Sequence, residues 1–444
     1  MSLFPIEIKK HREAIISLPQ SFTSASTLNV QFGRNIVRGV KCNQSEDSTV
    51  TISSELQKRL KLPSCLSKIH LQQDSSNHLT LGTLVGIFTI GFTPSSILPI
   101  GNRSLWFQKL LSTDCKGVIP FIFGERDIDW GKSEVVGLFY TDRGWEKYTV
   151  PLPQVVYDRL PNRKSEKLSS SQKVKAILSN IYQIPWYNPG FINKHQTFSV
   201  LANHLQATPY LPETHLYTRQ ILQNMLVQYG MVYVKPIEGS SGKGIHKIRK
   251  NAKHYVCEYS SQSGNIVNKT FQRIDSLHQF LTNKKRPDTI LIQQGIQLLT
   301  YEGHPLDFRV HINKDEGGVW HVSAIAGKAA KITAITTHIR NGGRVLSLRE
   351  IPFGDKIESI LSSAALTIGK SLDERLDGHI GEIGFDFGLD EKLHPWLFEA
   401  NSKPGRSIFF HPELRDEERR TRELSLAYSS YLAKEKVHQG VIFS

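Results

Sequence analysis

The sequence predicts a multidomain protein of the α/β and α+β classes. Its 444 residues suggest about three domains at roughly 150 residues each. Hydrophobic residues make up 39% and charged residues 22% of the chain, which is ordinary for a globular protein and argues against disorder, collagen or a coiled coil. Apolar runs typical of buried parallel strands alternate with an amphipathic segment, and this indicates an open α/β sheet.

Three regions of the chain differ in composition. Residues 1–76 are polar with short alternating runs, which predict a small β-rich unit with one short helix near residues 55–60. Residues 77–160 carry the strand and helix patterns of the α/β domain. The polar, turn-rich segment 161–172 marks a boundary, and residues 173–444 contain the recognisable chemistry.

The excess of basic residues restricts the choice of partners. The chain has 55 Lys and Arg against 41 Asp and Glu, a formal net charge of +14. Such a charge suits a nucleotide, a nucleic acid or another anionic surface. Because the charge is spread along the chain and no basic tail is present, nucleic-acid binding is the least favoured of these hypotheses.

Cysteine spacing and hydropathy predict the compartment. The cysteines have no metal-binding or redox spacing, which favours a reducing compartment. The longest apolar stretch, residues 84–92, is too short to span a bilayer, and the first residues lack the apolar segment of a signal peptide. We therefore expect a cytoplasmic protein without a membrane span. The cysteines are Cys42, Cys65, Cys115 and Cys257.

A glycine-rich loop lies between two predicted strands. Three of the six residues from 239 to 244 are glycine, and Lys235 stands at the end of the preceding strand. Glycines allow backbone N–H groups to approach phosphate oxygens closely, and the lysine would add a positive charge. The alternative is an ordinary hairpin turn.

Two segments near the C-terminus predict an antiparallel hairpin with one acidic face. Residues 379–389 and 395–401 are separated by a short turn. Because side chains alternate along a strand, Asp386 shares a face with Glu399 and Asn401, and these are hard oxygen ligands that suit Mg²⁺. The alternative is a solvated sheet face. The expected apolar faces are Ile383, Phe385 and Phe387 on the first strand and Trp396, Phe398 and Ala400 on the second.

Two arginines are candidates for binding an anionic substrate. Residues 307–312 predict a strand on which Asp307, Arg309 and His311 point to one side. A guanidinium group in that position can bind a phosphate or carboxylate with two N–H groups, although an ordinary pair with Asp307 is the alternative. Arg406 follows the acidic hairpin in a tight turn that could present it to the same substrate.

The order of these segments resembles the ATP-grasp fold, and the motifs more narrowly resemble the endospore coat-associated YheC/YheD-type ATP-grasp family. The resemblance covers the chain from about residue 80 to its end. It implies an α/β pre-ATP-grasp domain in residues 77–160 and an ATP-grasp module in residues 173–444, with a lid subdomain at approximately 190–292. The motifs are LGTLVGIFT (81–89), DIDW (127–130), PLPQVVYDR (151–159), LPET (211–214) and FEANSKPGR (398–406).

The resemblance also implies roles for particular residues. Lys194 and Lys235 would bind the nucleotide phosphates, and Arg309 would lie near the transferred phosphate. Lys328 stands where an arginine is common and His338 where an asparagine is usual, and both would lie near the acceptor. The phosphate loop would include Gly239, Ser240, Ser241, Gly242 and Gly244, the adenine hinge Gln293, Gln294, Gly295 and Ile296, the catalytic set Arg309, Lys328 and Arg406, and the Mg²⁺ ligands Asp386, Glu399 and Asn401.

The activity implied by the resemblance is that of an ATP- and Mg²⁺-dependent ligase. The enzyme would phosphorylate a carboxylate, release ADP and join the acylphosphate to an amine or a thiol. The alternative implied function is that of a spore-coat morphogenetic protein that binds ATP with little or no catalysis. Its partners would then be spore-coat proteins, and it would be located at the forespore or spore coat.

Overall fold

The computed structural model describes residues 3–20, 22, 25–74, 77–115, 117–237, 244–261, 265–283, 287–329 and 343–438. Their strands form a closed barrel and three open sheets. None of the helices in these ranges has the length and hydropathy needed to cross a lipid bilayer.

The first unit is a seven-stranded barrel with one short helix, α1 (Ser54–Leu60). The Ser53 side chain caps this helix by accepting a hydrogen bond from the Leu56 amide at 3.1 Å. The barrel includes residues 78–81, beyond the expected boundary at 76, because this strand pairs with both of its barrel neighbours. The strands are β1 (Leu3–Lys9), β2 (Ile15–Pro19), β3 (Thr27–Phe32), β4 (Asn35–Ser45), β5 (Val50–Ser53), β6 (Lys68–Gln73) and β7 (His78–Leu81), in the order β1-β5-β2-β4-β3-β7-β6.

The second unit is a mixed sheet in the order β10-β11-β9-β8-β13-β14, with β12 paired to β11. Its β8, β9, β13 and β14 are parallel, whereas β10 and β12 run antiparallel to β11. The helices are α2 (Ser104–Leu111), α3 (Arg163–Glu166) and α4 (Ser169–Ala176), so the expected boundary segment contains helical turns. The strands are β8 (Thr83–Phe88), β9 (Val118–Phe123), β10 (Ile128–Asp129), β11 (Glu134–Thr141), β12 (Gly144–Pro151), β13 (Val155–Asp158) and β14 (Trp186–Tyr187).

The third unit is an antiparallel sheet covered by helices, and it corresponds in sequence to the expected lid. Helices α6 (Arg219–Tyr229) and α7 (Ile274–Thr282) pack on the sheet through Leu222, Leu226 and Leu277. Helix α5 (Lys194–Ala202) precedes it. The strands are β15 (Thr214–Leu216), β16 (Met231–Pro236), β17 (His246–Lys250), β18 (Tyr255–Ser260), β19 (Ile266–Phe271) and β20 (Ile290–Gln294), in the order β15-β20-β16-β17-β18-β19.

The fourth unit is a further antiparallel sheet with the long helix α8 (Gly354–Asp373) on its apolar face. The last helix, α9 (Arg415–His438), returns to the second sheet, where Leu426, Tyr428 and Leu432 join the core that contains Phe107 and Tyr157. The strands are β21 (Thr300–Tyr301), β22 (His304–Lys314), β23 (Trp320–Ala329), β24 (Arg344–Leu346), β25 (Glu382–Leu389) and β26 (Pro395–Asn401), in the order β24-β23-β22-β25-β26 with β21 beside β22.

The turn between β3 and β4 joins the barrel to the second sheet. The Arg34 amide donates a hydrogen bond to the Leu152 carbonyl oxygen at 3.0 Å. The preceding residue, Gly33, has φ +56°, and a Cβ atom there would lie 2.8 Å from both the Leu152 oxygen and the Leu84 side chain. Two features therefore require glycine at position 33: the left-handed backbone, and the close packing of this turn against Leu84 and Leu152.

We expect Gly33→Ala to destabilise the protein more than Gly39→Ala. Gly39 has a similar φ of +64°, but a Cβ atom there would meet no described heavy atom within 4 Å. Gly39→Ala, the control, should therefore lower the free energy of unfolding only through the strained left-handed backbone, whereas Gly33→Ala should lower it by a further amount of about 1–3 kcal/mol through overpacking. Thermal unfolding of both variants measures the difference, and equal losses would contradict close docking at this turn.

Candidate functional site

The acidic hairpin forms as predicted, with an irregularity that changes one of its faces. Strands β25 and β26 are antiparallel, Asp386 lies opposite Glu399, and Gly384 lies opposite Asn401. The register then shifts, so that Phe398 is an extra residue in β26. Such a bulge interrupts the alternation of side chains along the strand.

The bulge explains a wrong prediction on the second strand. Leu397 and Ala400 are buried in the core, while Trp396 and Phe398 are only partly buried. The expected apolar face of Trp396, Phe398 and Ala400 is therefore incorrect, because the extra residue reverses the orientation of the residues before it. On the first strand, the predicted apolar residues Ile383, Phe385 and Phe387 are fully buried.

Asp386 stands at the centre of a group of charged residues. Arg309 lies beside it on β22 and donates from Nη2 to Asp386 Oδ2 at 3.0 Å. The Lys328 ammonium on β23 lies 2.8 Å from Asp386 Oδ1 and 2.9 Å from Asp307 Oδ1. The structure thus brings the predicted Arg309 and Lys328 together with Asp386, and adds Asp307 to them.

Burial and charge act against each other in this group. Burial raises the pKa of Asp307 to about 6; Lys328 opposes this shift and the nearby Asp386 carboxylate adds to it. Burial alone would lower the pKa of Lys328, but Asp307 and Asp386 outweigh it and raise that pKa above its ordinary value. The Lys328 ammonium group is therefore held in its charged form.

Lys194 lies opposite Glu399. It is the first residue of α5, which is capped by the Asn193 side chain accepting from the Gln196 amide at 3.1 Å. The Lys194 Nζ atom is 3.3 Å from Glu399 Oε1. The cap fixes the start of the helix, and so it places the lysine at the acidic face of the hairpin.

Lys235 is a buried ammonium group at the end of β16. Only 6% of the residue is exposed, and its Nζ atom donates to Gln293 Oε1 at 2.8 Å and to the Phe398 carbonyl oxygen at 3.3 Å. Burial lowers the pKa of Lys235 to about 7; Lys194 acts in the same direction, while Glu399 and Asp386 oppose it. The lysine therefore lies in a site that lacks enough negative charge for it.

The predicted adenine hinge occupies the end of β20 and the residues after it. The Gln293 side chain bridges Lys235 and Thr214, donating to Thr214 Oγ1 at 2.9 Å. The amides of Gln294 and Gly295 donate to the carbonyl oxygens of Glu213 and Met231 at 2.8 and 2.9 Å. These two N–H groups are therefore engaged in hydrogen bonds to the backbone of the protein. Ile296, the last residue of the predicted hinge, is buried.

The predicted phosphate loop joins β16 to β17, which form an antiparallel hairpin with Val234 opposite His246. Gly244 at its end has φ +74°. Gly239, Ser240, Ser241 and Gly242 lie outside the described residues, as does His338.

Arg406 belongs to a different part of the acidic face. It donates from Nη2 to Glu382 Oε1 at 2.5 Å. Glu382 has no exposed surface, and it also accepts from the Tyr157 hydroxyl at 2.5 Å and from Arg159 Nη1 at 3.1 Å. Arg406 is therefore held four residues along β25 from Asp386, at the border between the second and fourth sheets.

These anchoring residues were not predicted from the sequence, although two signals pointed to them. Tyr157, Asp158 and Arg159 end the motif at residues 151–159, and Glu382 lies on the predicted acidic face. Asp158 accepts from Lys403 Nζ at 2.6 Å and from Trp186 Nε1 at 3.1 Å. The strand end of the second sheet thus holds the turn that follows β26.

The oxygen donors of the hairpin fit a divalent cation completed by other ligands. Asp386 and Glu399 lie opposite each other, and Asn401 is two residues beyond Glu399 on the same face of β26. Over the described ranges, no group of three or more His, Cys, Asp or Glu side chains is arranged to hold a metal. Two carboxylates and an amide are typical of Mg²⁺ sites in which phosphate oxygens and water supply the remaining ligands.

The sequence of this chain is similar to those of known proteins. Residues 183–432 match the family model described as YheC/D like ATP-grasp. The chain is 40% identical over 447 residues to the endospore coat-associated protein YheD of Bacillus subtilis (strain 168), covering 98% of this chain and 97% of that protein. It is 25% identical over 311 residues to the endospore coat-associated protein YheC of the same strain, covering 67% of this chain and 83% of that protein.

A solved structure also resembles this chain. The VanG D-Ala:D-Ser ligase from Enterococcus faecalis aligns with a TM-score of 0.47 and 12% identity, covering 79% of this chain and 99% of that one. The family match and the near full-length relative confirm the resemblance of the motifs and the predicted ATP-grasp fold. The chain therefore belongs to the YheC/D-like ATP-grasp family.

Proposed function

We propose that this protein is an ATP- and Mg²⁺-dependent ligase that activates a carboxylate. The observation that carries the proposal is the placement of four cationic side chains around the opposed carboxylates Asp386 and Glu399. Lys328 and Arg309 bind Asp386, and Lys194 binds Glu399. Lys235 lies close enough to Lys194 and Glu399 to have its pKa changed by both.

This arrangement suits phosphoryl transfer, in which a protein acts mainly by positioning and by stabilising charge. Lys194 and Lys235 would bind phosphate oxygens of ATP, and Arg309 and Lys328 would orient the acid and neutralise the transferred group. A Mg²⁺ bound by Asp386, Glu399 and Asn401 would offset the negative charge of the phosphates.

The proposed reaction has two steps. A carboxylate oxygen of the acid attacks the γ-phosphorus, the bond to the β–γ bridging oxygen breaks, and ADP leaves. An amine or thiol then attacks the acyl carbon and releases inorganic phosphate, with the proton of the nucleophile passing to solvent or phosphate. Neither step needs a nucleophile from the protein, and a closed site would protect the acylphosphate from water.

A second candidate is a coat-associated protein that binds ATP with little catalysis. It is favoured by the relative that is 40% identical over nearly the whole chain, which is named for its association with the endospore coat. We infer that this chain acts in the cytoplasm of a spore-forming cell or at its forespore surface, with coat proteins as partners.

ADP release separates the two candidates. The purified chain is incubated with MgATP, pools of carboxylic acids and pools of amines or thiols, and ADP is measured. The ligase requires release that depends on an added acid. Nucleotide binding without acid-dependent release would instead support the coat component.

Nucleotide should stabilise the fold. A ligand that binds only the native state adds about 2.7 kcal/mol at ~100 times its dissociation constant. We expect MgATP to raise the melting temperature, and an equal concentration of Mg²⁺ with cytidine to leave it nearly unchanged. A melting temperature indifferent to millimolar MgATP would contradict ATP binding.

Glu399→Gln should weaken the Mg²⁺ site while preserving its shape. The substitution removes a charge that a hard cation requires, so Mg²⁺ affinity in the nucleotide-bound protein should fall and phosphoryl transfer should decrease by orders of magnitude. Glu391→Gln, in the exposed turn of the same hairpin, is the control. Equal Mg²⁺ affinities for Glu399→Gln and the parent would remove the metal assignment.

Lys235→Met should raise the melting temperature near pH 7 and weaken nucleotide binding. The folded pKa of about 7 lies below the ordinary lysine value of ~10.4, so the unfolded chain binds more protons between these values. Lys235 therefore costs stability as the pH falls from about 10 to 7, and methionine removes this cost. The exposed Lys253→Met is the control.

The same lysine gives nucleotide binding a pH dependence. Phosphates favour the charged ammonium, so above pH 7 binding should take up a proton and affinity should fall as the pH rises. Calorimetry in buffers of different ionisation enthalpy measures the uptake. Its absence at pH 8, or a Lys235→Met variant with parental nucleotide affinity, would contradict the assigned role.

A further inference from the structure

A second group of polar atoms lies beside the phosphate-transfer centre. Within the described residues, several buried side-chain nitrogen atoms near Asp386 and Glu382 have no hydrogen-bond partner. They are Trp106 Nε1, Arg309 Nη1, both ring nitrogens of His311, and Arg406 Nε and Nη1. We call Trp106, Arg309, His311 and Arg406 the Arg406 cluster.

Backbone register and ring contacts bring the members of the cluster together. His311 lies opposite Gly384 on the neighbouring strand, and a Cβ atom at Gly384 would lie 3.0 Å from Arg309 Nη1. The guanidinium carbon of Arg406 is 5.1 Å from the centre of the Trp106 ring and 5.9 Å from that of Phe409. Phe409 is also 5.3 Å from the His311 ring.

The cluster consists almost entirely of hydrogen-bond donors. An arginine or a tryptophan side chain can donate but cannot accept, and a neutral imidazole offers one N–H group. Glu382 uses one side of the Arg406 guanidinium and Asp386 one side of Arg309, which leaves the other nitrogen atoms. A buried donor without a partner destabilises the fold, and a charged donor does so more strongly than a neutral one. A ligand with anionic oxygens would satisfy them.

Buried ion pairs and ring contacts fix the position of Arg406. Glu382 is fully buried and is bound by Tyr157, Arg159 and Arg406 together. The guanidinium carbon of Arg159 is 4.6 Å from the Trp106 ring centre, so the two arginines share this ring. His311 has no exposed surface, and its ring contacts Phe409, which also contacts Arg406.

We propose that the acid activated at Asp386 carries a second oxyanion, a carboxylate or a phosphate, and that this group binds the Arg406 cluster. The proposal rests on the ligase function and names its substrate class. Asp386 and Glu382 are four residues apart on β25, or about 13 Å at ~3.3 Å per residue. The substrate is therefore an acid that carries a second charged group, such as an acidic peptide, rather than a small monocarboxylate.

Calorimetric titration with small anions tests the site directly. Inorganic phosphate and acetate are titrated into the protein, first alone and then with saturating Mg²⁺ and β,γ-imido ATP, which fills the nucleotide phosphate positions. We expect saturable millimolar binding that persists with the nucleotide analogue. Tighter binding of phosphate indicates a phosphorylated acid, and tighter binding of acetate indicates a dicarboxylic acid.

Variants assign the binding to the cluster. Arg406→Gln should weaken the anion about tenfold or more, because a charge-assisted bond is lost. Trp106→Phe keeps the ring beneath the arginines and removes one N–H group, so a loss of severalfold is expected even if Arg406→Gln folds poorly. Arg420→Gln, at an exposed position of α9, should bind the anion like the parent.

Two results would overturn the proposal. One is the absence of saturable anion binding by the parent up to tens of millimolar, and the other is equal affinity in the parent, Arg406→Gln and Trp106→Phe. Nucleotide binding is measured separately on the same parent. If the protein binds the nucleotide analogue but neither anion, the second oxyanion is contradicted and the ligase proposal stays intact. If it binds an anion through Arg406 but does not bind the nucleotide, the ligase proposal is contradicted and the anion site stays intact.

Discussion

The arrangement of the site depends on two buried carboxylates that join the second sheet to the fourth. Glu382 binds Tyr157, Arg159 and Arg406, and Asp158 binds Lys403 and Trp186. Removing one partner of a buried ion pair typically costs ~3–5 kcal/mol, because the remaining charge has no compensation. The position of the turn after β26, and with it Arg406, is therefore imposed by residues far away in the sequence.

A second constraint is the balance of charge around the hairpin. Asp386 is bound by Arg309 and Lys328, and Glu399 by Lys194, whereas among the described residues the hydrogen bonds of buried Lys235 go to neutral oxygens. Protonated Lys235 therefore costs stability in the ligand-free fold, and the phosphates proposed to bind there would favour its charged form. Arg309 and Lys328, by contrast, are already positioned on Asp386, and preorganised charge of this kind is a principal source of electrostatic stabilisation in enzymes.

Local patterns in the sequence were sufficient to predict the elements that carry the chemistry. The alternation in residues 379–401 predicted the hairpin, and the alternation in residues 307–312 predicted a strand with Asp307, Arg309 and His311 on one side. The proximity of Arg309 to Asp386 does not follow from either pattern, because it depends on the pairing of β22 with β25. The bulge at Phe398 was not predictable, because one extra residue leaves no periodic signal. The roles of Glu382 and Tyr157 were equally hidden, since their pairing joins residues more than two hundred positions apart.

The return of α9 to the second sheet affects the order in which the chain can fold during its synthesis. The core between that sheet and α2, which contains Tyr157 and Phe107, is covered by Leu426, Tyr428 and Leu432, and these residues follow every described strand in sequence. During synthesis the ribosome completes all four sheets before this cover emerges. Apolar surface of the second sheet therefore stays exposed until α9 has been synthesised, and such exposure slows folding and promotes aggregation. Chaperone protection would matter most during this interval, after the barrel can already have closed.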